Sequence, residues 1–191
     1  MVWSTGGKTT LSGTADTITV NNISDGEFLM ALNHIITSGN VSVKQTFNND
    51  TTANNYGYRI SDNGTTDSAG TASNNYWYKS FDYDKFTVSY ICNISGKEKL
   101  SINFTAEQDG TGKTVSPERR EGIAKWVGTS SITRIDVFNS ETGDYLTGSN
   151  LTVLNGDTTE TATLQDGTIF EETDTNKAYI WNATSQTWTQ L

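Results

Sequence analysis

The sequence is poor in the residues from which reactive sites are usually built. It contains one cysteine, one histidine, two methionines and one proline among 191 residues. A single cysteine, Cys92, excludes a disulfide within the chain. Its place in the run YICNI at residues 90–94 predicts a small buried core residue rather than a reactive thiol.

Catalytic motifs are also missing. The one histidine, His34, lies in an apolar run without a nucleophile motif around it, so we expect a core or edge histidine and not a general base or a zinc ligand. No glycine-rich phosphate loop is present. A catalytic pair of carboxylates, as in glycosidases, remains an open alternative, because two such residues can be neighbours in the fold without being neighbours in the sequence. The acidic residues lie mainly in loops and in the tail, where solvation explains them. The sequence therefore predicts a protein that is not an enzyme and has no cofactor.

Positive charge and long apolar runs are scarce as well. Lys and Arg number 13 against 22 Asp and Glu, which gives a net charge of −9. This balance argues against binding to a nucleic acid backbone. No stretch approaches the roughly 20 apolar residues of a membrane span. Residues 1–7 lack a basic region followed by an apolar core, so we expect no signal peptide.

Threonine, serine, asparagine and glycine are abundant instead, while aromatic residues still make up 10% of the chain. This composition favours many short strands and turns over disorder. Good helix formers are few, and no long segment has a helical charge pattern. The sequence therefore predicts an all-β fold.

Two alternations of apolar and polar residues, at 132–138 and 150–154, mark the segment from Trp126 to Gly156. A period of two is typical of a strand with one buried face. The residues between them favour turns, and Asn155-Gly156 suits a tight turn. We therefore expect two antiparallel strands that complete a β-sandwich.

Other strands follow from shorter patterns. The apolar run at residues 27–37 is predicted to be a central strand, with a helix as the alternative. Residues 61–75 are predicted to form a long polar loop. Further strands are expected at residues 9–11, 17–20, 41–47, 56–60, 87–94 and 100–105.

Aromatic side chains concentrate in residues 75–86, and two interpretations compete. One is alternate burial in the sandwich, or contact with another subunit. The other is a platform that stacks on sugar rings, formed by Tyr76, Trp77, Tyr78 and Tyr83. Asp82 and Asp84 are candidate calcium ligands, but a third nearby carboxylate is missing, so no metal is predicted.

The charged cluster at residues 118–121 is most simply a solvated strand face, although Arg119 and Arg120 are candidate interface residues. Residues 1–157 are predicted to form the main domain, residues 158–165 a linker and residues 166–191 a small β module. Three short strands are expected in this module, with Phe170, Tyr179, Trp181 and Trp188 as its core. Trp181 and Trp188 are further interface candidates.

Several segments resemble structural proteins from the virions of tailed phages and tailed archaeal viruses. These are residues 47–64, 94–100, 116–126 and 132–154, and the tail at 166–190 resembles small three-stranded modules at the ends of viral structural proteins. The resemblance implies a jelly-roll-type antiparallel β-sandwich with a small C-terminal three-stranded β appendage. It also implies a homo-oligomeric virion protein, made in the host cytoplasm, that decorates the capsid or belongs to a tail or fibre. Its partners would be copies of itself and other virion proteins. The alternative is a carbohydrate-binding module or viral adhesin that binds host surface glycans.

Overall fold

A computed structural model of the chain describes residues 2–65, 67–79, 83–108, 110, 112, 115–157, 165–172, 175, 177–185 and 187–191, apart from the side chains of residues 2, 76–79 and 157. The chain divides into two compact units. The larger is Trp3–Asp157, and the smaller follows it in the sequence. Most of the predicted linker, residues 158–164, lies outside the described residues.

Every regular element of the described chain is a β-strand, which confirms the predicted all-β class. The strands of the first half are β1 (Val2–Thr10), β2 (Thr17–Asn21), β3 (Phe28–Ile35), β4 (Thr37–Ser38), β5 (Ser42–Phe47), β6 (Tyr56–Asp62), β7 (Ser68–Ala72), β8 (Asn75–Lys79) and β9 (Lys85–Cys92). Those of the second half are β10 (Lys99–Glu107), β11 (Glu118–Trp126), β12 (Arg134–Phe138), β13 (Asp144–Tyr145), β14 (Asn150–Asp157), β15 (Ile169–Glu172), β16 (Lys177–Asn182) and β17 (Thr187–Gln190). Within these residues, no helix has the length and apolarity needed to cross a membrane.

The larger unit is built mainly as a β-sandwich-like pair of sheets, as the alternating patterns predict, and β4 and β13 form a separate two-stranded sheet. The large sheet has the strand order β1-β14-β3-β9-β10-β11-β6-β7, and the small sheet has the order β2-β12-β5-β8. Neighbouring strands whose register is known run antiparallel. Apolar side chains from both sheets meet in one core, which includes Ile18, Leu29, Val43, Ile135, Val137, Leu151 and Val153.

The apolar run at residues 27–37 is a strand and not a helix. It forms β3, which lies between β14 and β9 in the large sheet. Its buried residues alternate with partly exposed ones. Leu29, Ala31 and Ile35 point into the core, where each is fully buried. The predicted central strand is confirmed.

The segment from Trp126 to Gly156 is organised differently from the prediction. Its two alternating stretches become β12 and β14, but β12 pairs with β2 and β5 in the small sheet, whereas β14 pairs with β3 in the large sheet. The residues between them therefore cross from one sheet to the other and do not form a hairpin. Asn155 and Gly156 also form no turn, because they continue β14 opposite Leu29 and Phe28.

The predicted loop at residues 61–75 contains a strand. β6 extends to Asp62, and β7 pairs with it at the edge of the large sheet. The sequence of β7 is SAGTA, which has no large apolar residue. Alternation of hydrophobicity could not reveal a strand made of such small side chains.

An aromatic cluster joins the two sheets at one end of the core. The ring of Trp126 lies 5.7 Å from that of Phe47 and 6.3 Å from that of Tyr56. The Tyr56 hydroxyl donates to the carbonyl of Asp50 and accepts from the amide of Phe47, both at 3.0 Å. Burial raises the pKa of Tyr56. The cluster therefore holds its polar atoms through hydrogen bonds and not through exposure to solvent.

The carboxylate of Asp50 accepts hydrogen bonds from Trp126 Nε1 at 2.7 Å, from Asn55 Nδ2 at 2.9 Å and from the amide of Thr52 at 2.9 Å. Partial burial raises the pKa of Asp50, but these hydrogen bonds outweigh it and lower the pKa from 3.8 to about 2. Stabilisation by ionised Asp50 is thus fully present above pH 3.8 and is lost as the pH falls towards 2.

We therefore expect the unfolding midpoint of the protein in guanidinium chloride to fall between pH 4 and pH 2, and to fall less in Asp50→Asn. The substitution removes the titrating group and keeps the size of the side chain. Denaturation curves at several pH values measure this difference. Equal falls in both proteins would show that Asp50 does not contribute.

The smaller unit is a three-stranded antiparallel sheet of β15, β16 and β17. Phe170 lies opposite Tyr179, and Trp181 lies opposite Trp188, so the four rings share one face. The rings of Trp181 and Trp188 are 5.3 Å apart, and that of Phe170 is 6.1 Å from Trp188. This aromatic contact gives the small sheet its own packing.

Candidate interaction surface

The outward side of β10 is apolar and its inward side is polar. Its buried residues are Lys99, Ser101, Asn103, Thr105 and Glu107. Between them, Leu100, Ile102 and Phe104 are 58%, 51% and 49% exposed. The strand expected at residues 100–105 is thus present and alternates between apolar and polar residues, but its apolar half faces away from the core.

The neighbouring strands continue this surface. Ile102 lies opposite Tyr90 on β9 and Ile123 on β11, and Phe104 lies opposite Val88. Tyr90 in turn lies opposite Met30 on β3. Residues directly opposite each other in paired strands share one side of the sheet. The resulting apolar face consists of Phe28, Met30, Leu32, Phe86, Val88, Tyr90, Cys92, Leu100, Ile102, Phe104 and Ile123.

The buried side of the same strands is held by polar contacts. Lys85 Nζ lies 3.2 Å from Glu107 Oε1, with both side chains essentially fully buried, and it donates to the carbonyl of Tyr83 at 2.7 Å. The hydroxyls of Thr87 and Thr105 are 2.9 Å apart. Because an uncompensated buried charge is costly, these contacts fix which side of β9 and β10 faces inward.

Lys99 holds one end of β10. Its Nζ donates to the carbonyls of Ile94, Lys97 and Thr129 at 2.8, 2.6 and 3.1 Å. Burial lowers the pKa of Lys99. The three bonds tie the turn between β9 and β10 to the segment after β11. They therefore position the strand that carries Leu100, Ile102 and Phe104.

Grooves lie on both sides of the ridge formed by Ile102 and Phe104. One is apolar, has a volume of about 330 Å³ and is lined by Trp3, Phe28, Tyr90, Cys92 and Leu100, among others. The other has a volume of about 460 Å³, and its lining includes Arg59, Asp67, Glu121 and Ile123. The face is therefore a ridge with an apolar groove on one side and a more polar groove on the other.

Charged residues at the margin of the face form pairs of opposite sign. Lys125 Nζ lies 3.0 Å from Glu98, Arg59 lies 3.4 Å from Asp67, and Arg119 lies 3.9 Å from Glu121. All six side chains are at least two-fifths exposed. Pairs of this kind add little to stability, about 0–1 kcal/mol each, but the three pairs together carry no net charge.

The largest contiguous apolar patch on a typical monomeric protein covers about 300–600 Å² and is often functional, and larger patches mark contacts with another molecule. Six side chains of the face (Phe86, Tyr90, Leu100, Ile102, Phe104 and Ile123) are each 44–58% exposed. Together they offer about 600 Å² if a large side chain has roughly 200 Å² of surface. No known protein family, curated protein or solved structure matches the chain. The assignment of this face as a contact surface therefore rests on its geometry.

The predicted sugar platform falls mainly outside what the structure describes. The side chains of Tyr76, Trp77 and Tyr78 are not among the described ones. Tyr83 is half-buried, and its carbonyl accepts the hydrogen bond from Lys85. Glycan stacking by these residues stays a prediction.

The structure describes only one of the two candidate calcium ligands. Asp82 lies outside the described residues, whereas Asp84 Oδ1 accepts a hydrogen bond from the amide of Thr37 at 3.1 Å. Asp84 therefore has a structural partner in the segment after β3. In the described part of the chain, no group of three or more His, Cys, Asp or Glu residues could hold a metal ion.

The two candidate interface arginines point to opposite sides of β11. Arg119 is largely exposed beside Glu121 at the margin of the apolar face. Arg120 is mostly buried and makes a bidentate contact with Asp62 on β6. The structure therefore brings only Arg119 to the face. Trp181 and Trp188 contact each other in the smaller unit.

Two residues expected in the interior lie on the outward side of the large sheet. Cys92 is partly exposed and lines the apolar groove, and His34 is exposed opposite Phe86. The prediction of a buried core cysteine was wrong, because the outward side of β9 is the apolar one. The prediction of a core or edge histidine was also wrong, since β3 has neighbours on both sides.

Proposed function

We propose that this chain is a structural protein of a tailed-virus particle, either a capsid decoration or a component of the tail or fibre. The observation that supports this most is the apolar face of the large sheet. A structural subunit needs a surface that stays accessible in the free chain and is buried in the assembly. In this proposal the chain works by shape and contact, without catalysis or a cofactor, and its final location is the virion.

We further propose that the larger unit is a jelly roll. This fold can be drawn as a long antiparallel hairpin of eight strands, in which the first pairs with the eighth, the second with the seventh, and so on inward. Four pairings support it: β2 with β12, β3 with β9, β5 with β8, and β6 with β7. The eight strands occur in this nested order along the chain.

The strands β10 and β11 are then an insertion between the seventh and eighth strands of the jelly roll. They pair with each other and widen the large sheet between β9 and β6. This hairpin carries the four most exposed residues of the apolar face, which are Leu100, Ile102, Phe104 and Ile123. Insertions between strands are a common place for binding functions. The added hairpin is therefore the contact element of the proposed subunit.

Fractionation of virus particles tests the proposed function. In lysates of infected cells, we expect the protein to sediment with DNA-containing particles and to be present in many copies, as measured by quantitative mass spectrometry of gradient fractions. Recovery only in the fractions of free protein would contradict the proposal.

A further inference from the structure

The apolar face has a raised part and a recessed part. Ile102 and Phe104 form an apolar ridge, and beside it lies the apolar groove lined by Phe28, Tyr90 and Leu100. When a ridge and a groove of the same chemistry lie side by side on one surface, two copies of that surface can each insert the ridge into the other's groove. Such an isologous contact is closed by a twofold axis.

The charges of the chain also favour a second copy at this face over contact elsewhere. The chain carries a net charge of −9, so two copies repel each other over most of their surfaces. On β11 and β6 the same side of the sheet also carries charged residues, with Lys125 opposite Leu100, Glu121 opposite Phe104 and Arg59 opposite Ile123. Each of them forms a pair with a residue of opposite sign. Contact through this face therefore adds little repulsion and buries no uncompensated charge.

The size of the face approaches that of a standard dimer interface. A standard specific interface buries about 800 Å² on each partner. The six most exposed large side chains of the face offer about 600 Å². Partly exposed residues beside them (Phe28, Met30, Leu32, Val88 and Cys92) and the paired charges of the margin supply the rest. Two sheets that pack face to face lie about 10 Å apart, which permits side chains of both to interdigitate.

We infer that the apolar face of the large sheet binds the same face of a second copy, which forms a twofold sheet-on-sheet dimer with β10 at its centre. This inference deepens the proposed function and rests on it, since the dimer is the unit that would enter the particle. The hairpin of β10 and β11 is in this view a dimerisation element added to the sandwich.

Sedimentation equilibrium of the full chain over a range of concentrations tests the inference. We expect wild type to reach about 42 kDa, twice the 20.9 kDa of one chain. Ile102→Lys places a charge at the centre of the contact and should weaken dimerisation at least 100-fold. Ile169→Lys is the matched control, because Ile169 is similarly exposed (58% against 51%) but lies in the smaller unit. It should leave the dimer unchanged.

The single thiol of the chain gives a second measurement that does not depend on mass. Cys92 lies on the face beside Leu100 and Phe28. Its reaction with a maleimide should be at least tenfold slower at high protein concentration than after dilution. In Ile102→Lys it should be fast at both concentrations. A variant that is folded by circular dichroism, monomeric and fast to label supports the inference.

Two results would overturn the inference. One is a wild-type chain that stays at 20.9 kDa and labels rapidly at all concentrations. The other is a dimer that survives Ile102→Lys. If the monomeric chain is nevertheless found in purified particles, another virion protein covers the face, and the proposed function stands without this dimer. If the chain is a dimer but is absent from particles, the dimer stands and the proposed function fails.

Discussion

Replacing Lys85 with methionine should lower the free energy of unfolding of the larger unit by about 3–5 kcal/mol. Lys85 and Glu107 form an ion pair at 3.2 Å with side chains that are 0% and 1% exposed. Removal of the ammonium group leaves the Glu107 carboxylate buried without this cation, and the desolvation of the carboxylate is no longer offset by it. Chemical denaturation at neutral pH measures the change.

Two further variants show whether the effect comes from the buried charge. Lys85→Met combined with Glu107→Leu should recover most of the lost stability, because apolar residues of similar volume often replace a buried ion pair without loss. Arg59→Met removes an exposed pair with Asp67 at 3.4 Å and should cost less than about 1 kcal/mol. A loss below about 1 kcal/mol in Lys85→Met itself would mean that the pair does not hold β9 against β10.

Trp126→Ala should destabilise the larger unit by about 3–5 kcal/mol, the range for truncation of a buried aromatic residue. Trp126 is 4% exposed and packs against Phe47 and Tyr56. The substitution leaves a cavity where the two sheets meet, and Asp50 loses the hydrogen bond from the indole nitrogen. Urea or guanidinium denaturation followed by circular dichroism gives the change in free energy.

A more conservative variant divides this effect into two parts. Trp126→Phe keeps most of the packing and removes the hydrogen bond to Asp50, so we expect a loss of about 1–2 kcal/mol. Trp188→Ala is the control, because Trp188 lies in the smaller unit and is 39% exposed. It should leave the unfolding of the larger unit nearly unchanged. Equal losses in Trp126→Ala and Trp126→Phe would indicate that packing contributes little.

The strands of the large sheet could be predicted from alternation, but the direction of their faces could not. β10 reads KLSINFTAE, in which every second residue is apolar. The pattern indicates that one side of the strand is apolar and the other polar. The usual inference is that the apolar residues Leu100, Ile102 and Phe104 lie in the core. Only the three-dimensional pairing of Lys85 with Glu107 and of Lys99 with three carbonyls reverses this inference. No local signal in the sequence reveals these partners.

The path of the chain between β12 and β14 was misread for a different reason. Eleven residues separate the two alternating stretches at 132–138 and 150–154. Hairpin loops usually have about 2–5 residues, so this length already argued against direct pairing. The missing information was Tyr145, which pairs with Thr37 on β4 and donates its hydroxyl hydrogen to the carbonyl of Ser42 at 2.6 Å. A contact so distant in sequence cannot be deduced from a pattern of neighbouring residues.

The nested pairing of the larger unit has a kinetic consequence. Among the four nested strand pairs (β6 with β7, β5 with β8, β3 with β9 and β2 with β12), the innermost closes the shortest loop, between Ile60 and Ser68. The outermost closes the longest, between Thr17 and Phe138. The entropy lost on closing a loop grows with its length, and each inner pair that has already formed shortens the loop that the next must close. Assembly from the inside outward is therefore the least costly order. On this argument, the hairpin of β6 and β7, whose second strand has the smallest side chains, forms first, and the other three strand pairs form after it.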